Sequence, residues 1–89
     1  MAFSYALDYG AHRLGIDLVG EELQLSLDGV VRKRRRADGV DCIYVWTNVE
    51  LDWEEHHFIE GRWWPSSGRI LLTSNGKTLL DAQAGQKAL

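Results

Sequence analysis

The chain has 89 residues, a length typical of one domain. A hydrophobic content of 45% and a charged content of 26% argue against disorder. The formal net charge of −3 excludes a globally basic nucleic-acid coat, so any contact with nucleic acid has to come from a local patch. The single cysteine, Cys42, excludes an internal disulfide bond.

The N-terminal residues lack the basic start and apolar run that mark a signal peptide. No stretch approaches the roughly 18 apolar residues that a membrane span needs. We therefore expect a cytoplasmic protein that makes no membrane contact. We also expect one domain, 1–89, whose C-terminal tail, 83–89, frays.

Apolar residues alternate with polar ones near the start of the chain. Phe3, Tyr5, Leu7 and Tyr9 are two residues apart, and the same spacing recurs in 14–18 and in 23–27. Successive side chains of a strand point to opposite faces, so this spacing predicts strands with one buried face.

Turn signals fall between these segments. Asp28-Gly29 and Asn75-Gly76 each separate two extended runs, and such dipeptides favour type I′ hairpin turns. Asp38-Gly39 predicts a third turn. The predicted strands cover 2–9, 12–19, 22–28, 30–36, 42–53, 56–63, 69–73 and 77–82.

These segments predict an all-β fold, a small antiparallel β-sandwich or partly open barrel of about seven strands joined by tight hairpins. An α+β fold is the alternative, if 2–9 or 50–58 is helical. In the longest predicted strand, Ile43, Val45 and Thr47 share one face, while Tyr44 and Trp46 lie on the other.

Five consecutive cations follow the Asp28-Gly29 turn: Arg32, Lys33, Arg34, Arg35 and Arg36. Because neighbouring residues of a strand face both ways, neither face of this basic run can be core. One interpretation is edge protection, since charged residues discourage another strand from adding to a sheet edge. Another is charge balance with an acidic set consisting of Glu50, Asp52, Glu54, Glu55 and Glu60. The functional interpretations are contact with phosphates, a nuclear-localisation signal and docking of an acidic protein.

Four tryptophans are many for a chain of this length. Most aromatic residues on strands are packing residues. In the adjacent pair Trp63-Trp64, we expect one ring in the core and the other partly exposed. Beside Arg62, an exposed ring suits a protein interface, or stacking on a sugar or a base.

Histidines and carboxylates cluster in 52–57, where Asp52, Glu54 and His56 alternate with Glu55 and His57. With His12 they could supply two or three ligands to a divalent ion, so a metal site at His56 and His57 is a further alternative. The spacing matches no metal motif, so we predict neither a metal nor a cofactor. If this segment is extended, Asp52 and Glu54 share a face, which would allow them to act as an acid/base pair. A sheet protein this small has little room for a pocket, so we predict no enzymatic activity.

The sequence therefore favours a non-enzymatic module that binds a protein partner or associates with itself. The predicted surface consists of Arg32, Lys33, Arg34, Arg35, Arg36, Arg62, Trp63 and Trp64. One alternative is nucleic-acid binding through the basic run, and another is carbohydrate binding on a tryptophan platform.

Overall fold

A computed structural model describes residues 3–37, 41–51 and 55–83. Within these ranges every regular element is a strand. The strands are β1 (Phe3–Tyr9), β2 (His12–Val19), β3 (Glu22–Leu27), β4 (Val30–Arg36), β5 (Ile43–Leu51), β6 (Glu55–Trp64), β7 (Arg69–Ser74) and β8 (Lys77–Gln83). None of the described segments forms a helix that is long and apolar enough to cross a membrane.

The strands form two four-stranded antiparallel sheets. The first sheet has the order β1-β2-β3-β4 and the second has the order β5-β6-β7-β8, so each is a simple meander. They pack face to face as a small sandwich, which confirms the predicted all-β class with eight strands instead of about seven. The α+β alternative is wrong for the described parts of 2–9 and 50–58, which are strand.

One core fills the space between the sheets. Its buried residues are Leu14, Ile16, Leu18, Leu23, Leu25, Leu27, Ile43, Val45, Val49, Ile59, Trp63, Ile70 and Leu72. Those on β2, β3 and β5 are the alternating residues that the sequence assigned to one face. Ile59, Ile70 and Leu72 lie on strands for which no core face was predicted, and the predicted set on β1 is only partly buried. Burying each such side chain stabilises the fold by about 1.5–3 kcal/mol before entropy is counted.

The two sheets are in close contact where Gly61 of β6 faces Ile16 of β2. A Cβ at Gly61 would lie 2.8 Å from Cδ1 of Ile16 and 3.2 Å from Cγ2 of Val45. A side chain at this position would therefore displace the end of Ile16; the constraint is one of space, since the Gly61 backbone has no positive φ.

Two hairpins have the same construction. Asp28-Gly29 joins β3 to β4 with φ values of 51° and 80°, and Asn75-Gly76 joins β7 to β8 with 50° and 83°. Positive φ at both central residues is the type I′ geometry predicted for these dipeptides. The third predicted turn, Asp38-Gly39, lies outside the described residues.

Each turn is also tied to the strand before its hairpin. The backbone N–H of Asp28 donates to the Arg13 carbonyl at 2.8 Å, and the Arg13 N–H donates to Asp28 Oδ1 at 2.9 Å. Asn75 makes the same pair of bonds with Phe58, both at 2.9 Å. The two turns therefore share both their backbone conformation and their attachment to the second strand of each sheet, β2 or β6.

Candidate binding seam

The basic run lies on β4, the edge strand of the first sheet. All five of its side chains are exposed, and β3 is the only strand in the described part of the chain that pairs with β4. The prediction that neither face of this run is core is confirmed. A register shift opposite Leu25-Ser26 places Arg32 at a bulge between Val31 and Lys33.

Cross-strand register divides the run into two sets. Lys33 is paired with Leu25 and Arg35 with Leu23, and both leucines point into the core. Directly paired residues share a face of the sheet, so Lys33 and Arg35 point towards the second sheet. Arg34 and Arg36 are paired with Gln24 and Glu22, so these two arginines point outwards.

The charges of the run are weakly compensated. Arg34 Nε lies 3.8 Å from Glu22 Oε1, and both side chains are well exposed, so this contact contributes about 0–1 kcal/mol. Among the described side chains, no other carboxylate oxygen lies within 4.0 Å of the run.

The predicted charge balance is not seen for the acidic residues that the structure describes. Glu50 lies 3.7 Å from His56, and Glu60 lies 3.1 Å from Arg62. Asp52, Glu54 and the side chain of Glu55 lie outside the described residues. The described carboxylates of the acidic set therefore pair within the second sheet instead of with β4.

β4 adjoins β5, the edge strand of the second sheet, although no ladder joins them in the described chain. The Lys33 ammonium lies 5.5 Å from the centroid of the Trp46 ring. Arg35 Nη1 donates to the Tyr44 carbonyl at 3.4 Å. We call the groove between Val31–Arg35 and Tyr44–Asn48 the seam; both strands line it.

Trp46 is the exposed aromatic residue of the seam. It is 46% exposed, and its ring centroid lies 5.5 Å from that of Phe58, which is 37% exposed. The two rings are tilted by 47°, so they do not form the flat platform that the carbohydrate alternative needs. The sequence placed Trp46 on the face opposite Val45 but did not include it in the predicted surface.

The adjacent tryptophans separate as predicted. Trp63 is 6% exposed and packs edge-on against Phe3, with ring centroids 5.6 Å apart. Trp64 is half-buried, and the Arg69 guanidinium lies 5.3 Å from its ring. Because Trp63 is a core residue, its side chain is not accessible to a partner, and Trp64 is the member of the pair that remains at the surface.

Arg62 is paired with Tyr44, so it lies on the outer face of the second sheet, the face that also carries Trp46. Its guanidinium lies 4.7 Å from the Tyr44 ring and donates to Glu60 Oε2 at 3.1 Å. The Tyr44 hydroxyl donates to the same oxygen at 2.6 Å. Burial, and then the hydrogen bond to Glu60, raise the pKa of Tyr44, so this side chain stays a neutral donor near pH 7. The predicted surface thus divides between the seam and this outer face.

The structure also places the described histidines. His57 contacts the Tyr9 hydroxyl, which in turn contacts Ser74 Oγ, while His12 Nδ1 lies 2.8 Å from Asp28 Oδ2. Within 3–37, 41–51 and 55–83, no group of three His, Cys, Asp or Glu side chains is placed to hold a metal ion. Asp52 and Glu54, the candidate acid/base pair, lie outside those ranges.

Comparison with protein families, with curated proteins and with solved structures gave no match. The seam is therefore interpreted from its own geometry and charge.

Proposed function

We propose that this chain is a non-catalytic binding module whose seam takes an extended acidic segment of a partner protein. The observation that carries the proposal is the meeting of two open sheet edges in a groove that contains Lys33, Arg35 and the exposed Trp46. A surface of this kind combines cations, an aromatic contact and free backbone edges.

Charge favours an acidic partner. The chain as a whole is negative, so the basic run is a local positive field on an acidic molecule. Such a field orients an acidic segment towards β4 while the rest of the surface repels it. Among the described side chains the run makes one weak ion pair, Arg34 with Glu22, so these side chains leave most of its charge available to a partner.

The arrangement of aromatic rings favours a peptide over a nucleic acid. Binding of single-stranded nucleic acid uses several rings on which successive bases stack. Of the described tryptophans, Trp46 lies at the seam, Trp63 is in the core, and Trp64 is beside Arg69 on the outer face. The free edges of β4 and β5, in contrast, offer the donors and acceptors that a peptide backbone needs.

A titration with three labelled ligands tests the proposal. The ligands are a blocked peptide in which glutamate alternates with threonine, the same peptide with glutamine for glutamate, and single-stranded DNA of similar length. We expect the acidic peptide to bind, the glutamine peptide to bind much more weakly, and the affinity to fall as salt rises. Stronger binding of the DNA would favour the nucleic-acid alternative and contradict the proposal.

A matched pair of charge reversals locates the site. Lys33→Glu with Arg35→Glu reverses the seam, while Arg13→Glu with Lys77→Glu makes the same change in net charge at exposed positions on β2 and β8. We expect the seam variant to lose binding and the control to retain it within about threefold, since exposed distant charges contribute little. Equal losses would show that only the overall charge matters.

A further inference from the structure

We infer that the partner segment binds as an added β-strand along the edge of β5, with its backbone hydrogen-bonded to Trp46 and Asn48. This inference rests on the proposed function and specifies how the seam holds its ligand. It follows from the direction of the backbone groups of β5.

The backbone of Tyr44 points into the seam. Its carbonyl accepts from Arg35 on β4 and therefore points away from β6. In an antiparallel strand the N–H and C=O of one residue point to the same side, and the side alternates along the chain. Trp46 and Asn48 follow Tyr44 at intervals of two, so their N–H and C=O groups also point into the seam.

A second observation, on β6, gives the same direction. Asn48 is paired with Phe58. The N–H of Phe58 donates to Asn75 Oδ1, and its carbonyl accepts from the Asn75 N–H. Phe58 thus directs both groups towards Asn75, and its pair with Asn48 is of the type that exchanges no backbone hydrogen bonds. The Asn48 groups consequently face the seam.

The seam also specifies side chains of the added strand. A strand placed beside β5 in the second sheet points every second side chain towards the first sheet. Lys33 and Arg35 point from the first sheet towards the second, so they meet those side chains. The remaining side chains lie on the outer face beside Trp46. The structure therefore selects a segment with acidic residues at alternate positions.

Lys33 does not block this arrangement. Its ammonium lies 5.5 Å from the centroid of the Trp46 ring, at the edge of β5. The lysine stem is flexible, so the ammonium can move from the ring to a carboxylate of the partner. Arg35, held by the Tyr44 carbonyl, marks the end of the seam where the added strand stops.

N-methylated peptides test strand addition separately from charge. One version of the alternating Glu/Thr peptide carries an N-methyl group on every glutamate, and a second version carries one on every threonine. Each version lacks the backbone N–H donors along one edge of the strand, and the two versions lack them on opposite edges. The charge of the peptide is the same in both. We expect one version to bind about tenfold or more weakly than the parent and the other to bind nearly as well. Equal affinity of all three would overturn strand addition but leave charge-based binding intact, whereas a parent peptide that fails to bind would overturn the proposed function itself.

Amide hydrogen exchange gives a second readout. In the complex with the parent peptide, we expect the Trp46 and Asn48 amides to exchange at least about tenfold more slowly than in the free chain. Unchanged exchange at both amides, with the peptide bound, would also overturn strand addition.

Discussion

The Lys33 ammonium lies 5.5 Å from the centroid of the Trp46 ring, and this contact joins the edge strands of two different sheets. In a closed barrel the two edges would be hydrogen-bonded to each other. Here, side chains bridge them, with Arg35 on the Tyr44 carbonyl as the second contact. A cation–π contact between exposed side chains is weak, so a ligand can replace the one between Lys33 and Trp46 at low cost.

Replacement of Lys33 and Arg35 by glutamine tests which charges of the basic run are functional. We expect this variant to bind the acidic peptide about two- to thirtyfold more weakly, because each of the two exposed charge contacts contributes about 0.2–1 kcal/mol. Arg34→Gln with Arg36→Gln is the matched control, since the register directs these side chains to the outer face of the first sheet. Light scattering of both variants tests edge protection. If the control variant associates with itself but still binds the peptide, then Arg34 and Arg36 protect the edge of β4.

We expect the buried Trp63 and the exposed Trp46 to contribute differently to the free energy of unfolding. Trp63→Ala empties a core position, and we expect it to lower the free energy of unfolding by about 3–5 kcal/mol. Trp46→Ala removes a half-exposed ring, and we expect a loss of about 1 kcal/mol or less. Urea denaturation measures both. Similar losses would mean that Trp46 is a structural residue and not a surface kept for a ligand.

Gly61→Ala tests the close contact between the sheets. The new methyl group would lie 2.8 Å from Cδ1 of Ile16, and overpacking of this kind costs about 1–3 kcal/mol. Ile16→Val removes that methyl, so we expect the double variant to be more stable than the sum of the two single changes predicts. Additive losses in urea denaturation would contradict the assigned contact.

The contribution of Asp28 to the stability of the fold depends on pH. The hydrogen bond from His12, followed by the one from the Arg13 N–H, lowers the pKa of Asp28 below its usual value. A carboxyl with a lowered pKa in the folded state stabilises the fold above its unfolded pKa, about 3.9. That stabilisation is lost as the pH falls through the lower, folded pKa.

Asp28→Asn separates this charge from the turn geometry. Asn75 holds Phe58 with a neutral amide in the equivalent turn, so asparagine at 28 can keep the bond to Arg13. We expect the variant to retain most of its stability at neutral pH and to lose less in acid than the parent. Part of the acid sensitivity remains, because Arg69 also lowers the pKa of Asp81. Urea denaturation at neutral and acid pH measures these effects, with Asp28→Ala as the control that removes the bond to Arg13. Equal losses of stability in Asp28→Asn and Asp28→Ala would contradict the expectation that asparagine keeps this bond.

The strands and hairpins were predictable because their signals are local. Alternation located the core face of β2, β3 and β5, and Asp28-Gly29 and Asn75-Gly76 fixed two turns through the positive φ that they adopt. The separation of Trp63 from Trp64 followed from the same alternation.

The seam was not predictable, because it depends on how the two sheets pack. Sequence alternation places Trp46 outwards, but nothing in the sequence indicates that β4 lies beside β5. The same limitation explains why Arg62 and Trp64 were grouped with the basic run. Their register with Tyr44 and Arg69 places them on the outer face of the second sheet instead.

The measurement that tests the central claim most directly is a titration of isotope-labelled protein with the alternating Glu/Thr peptide, followed by NMR. We expect the largest shifts at the Trp46 indole and at backbone amides of Val31–Arg35 and Tyr44–Asn48, with little change on β1 and β8. Shifts centred on Arg62 and Trp64, or on the β1 edge, would contradict the assignment of the seam as the binding site.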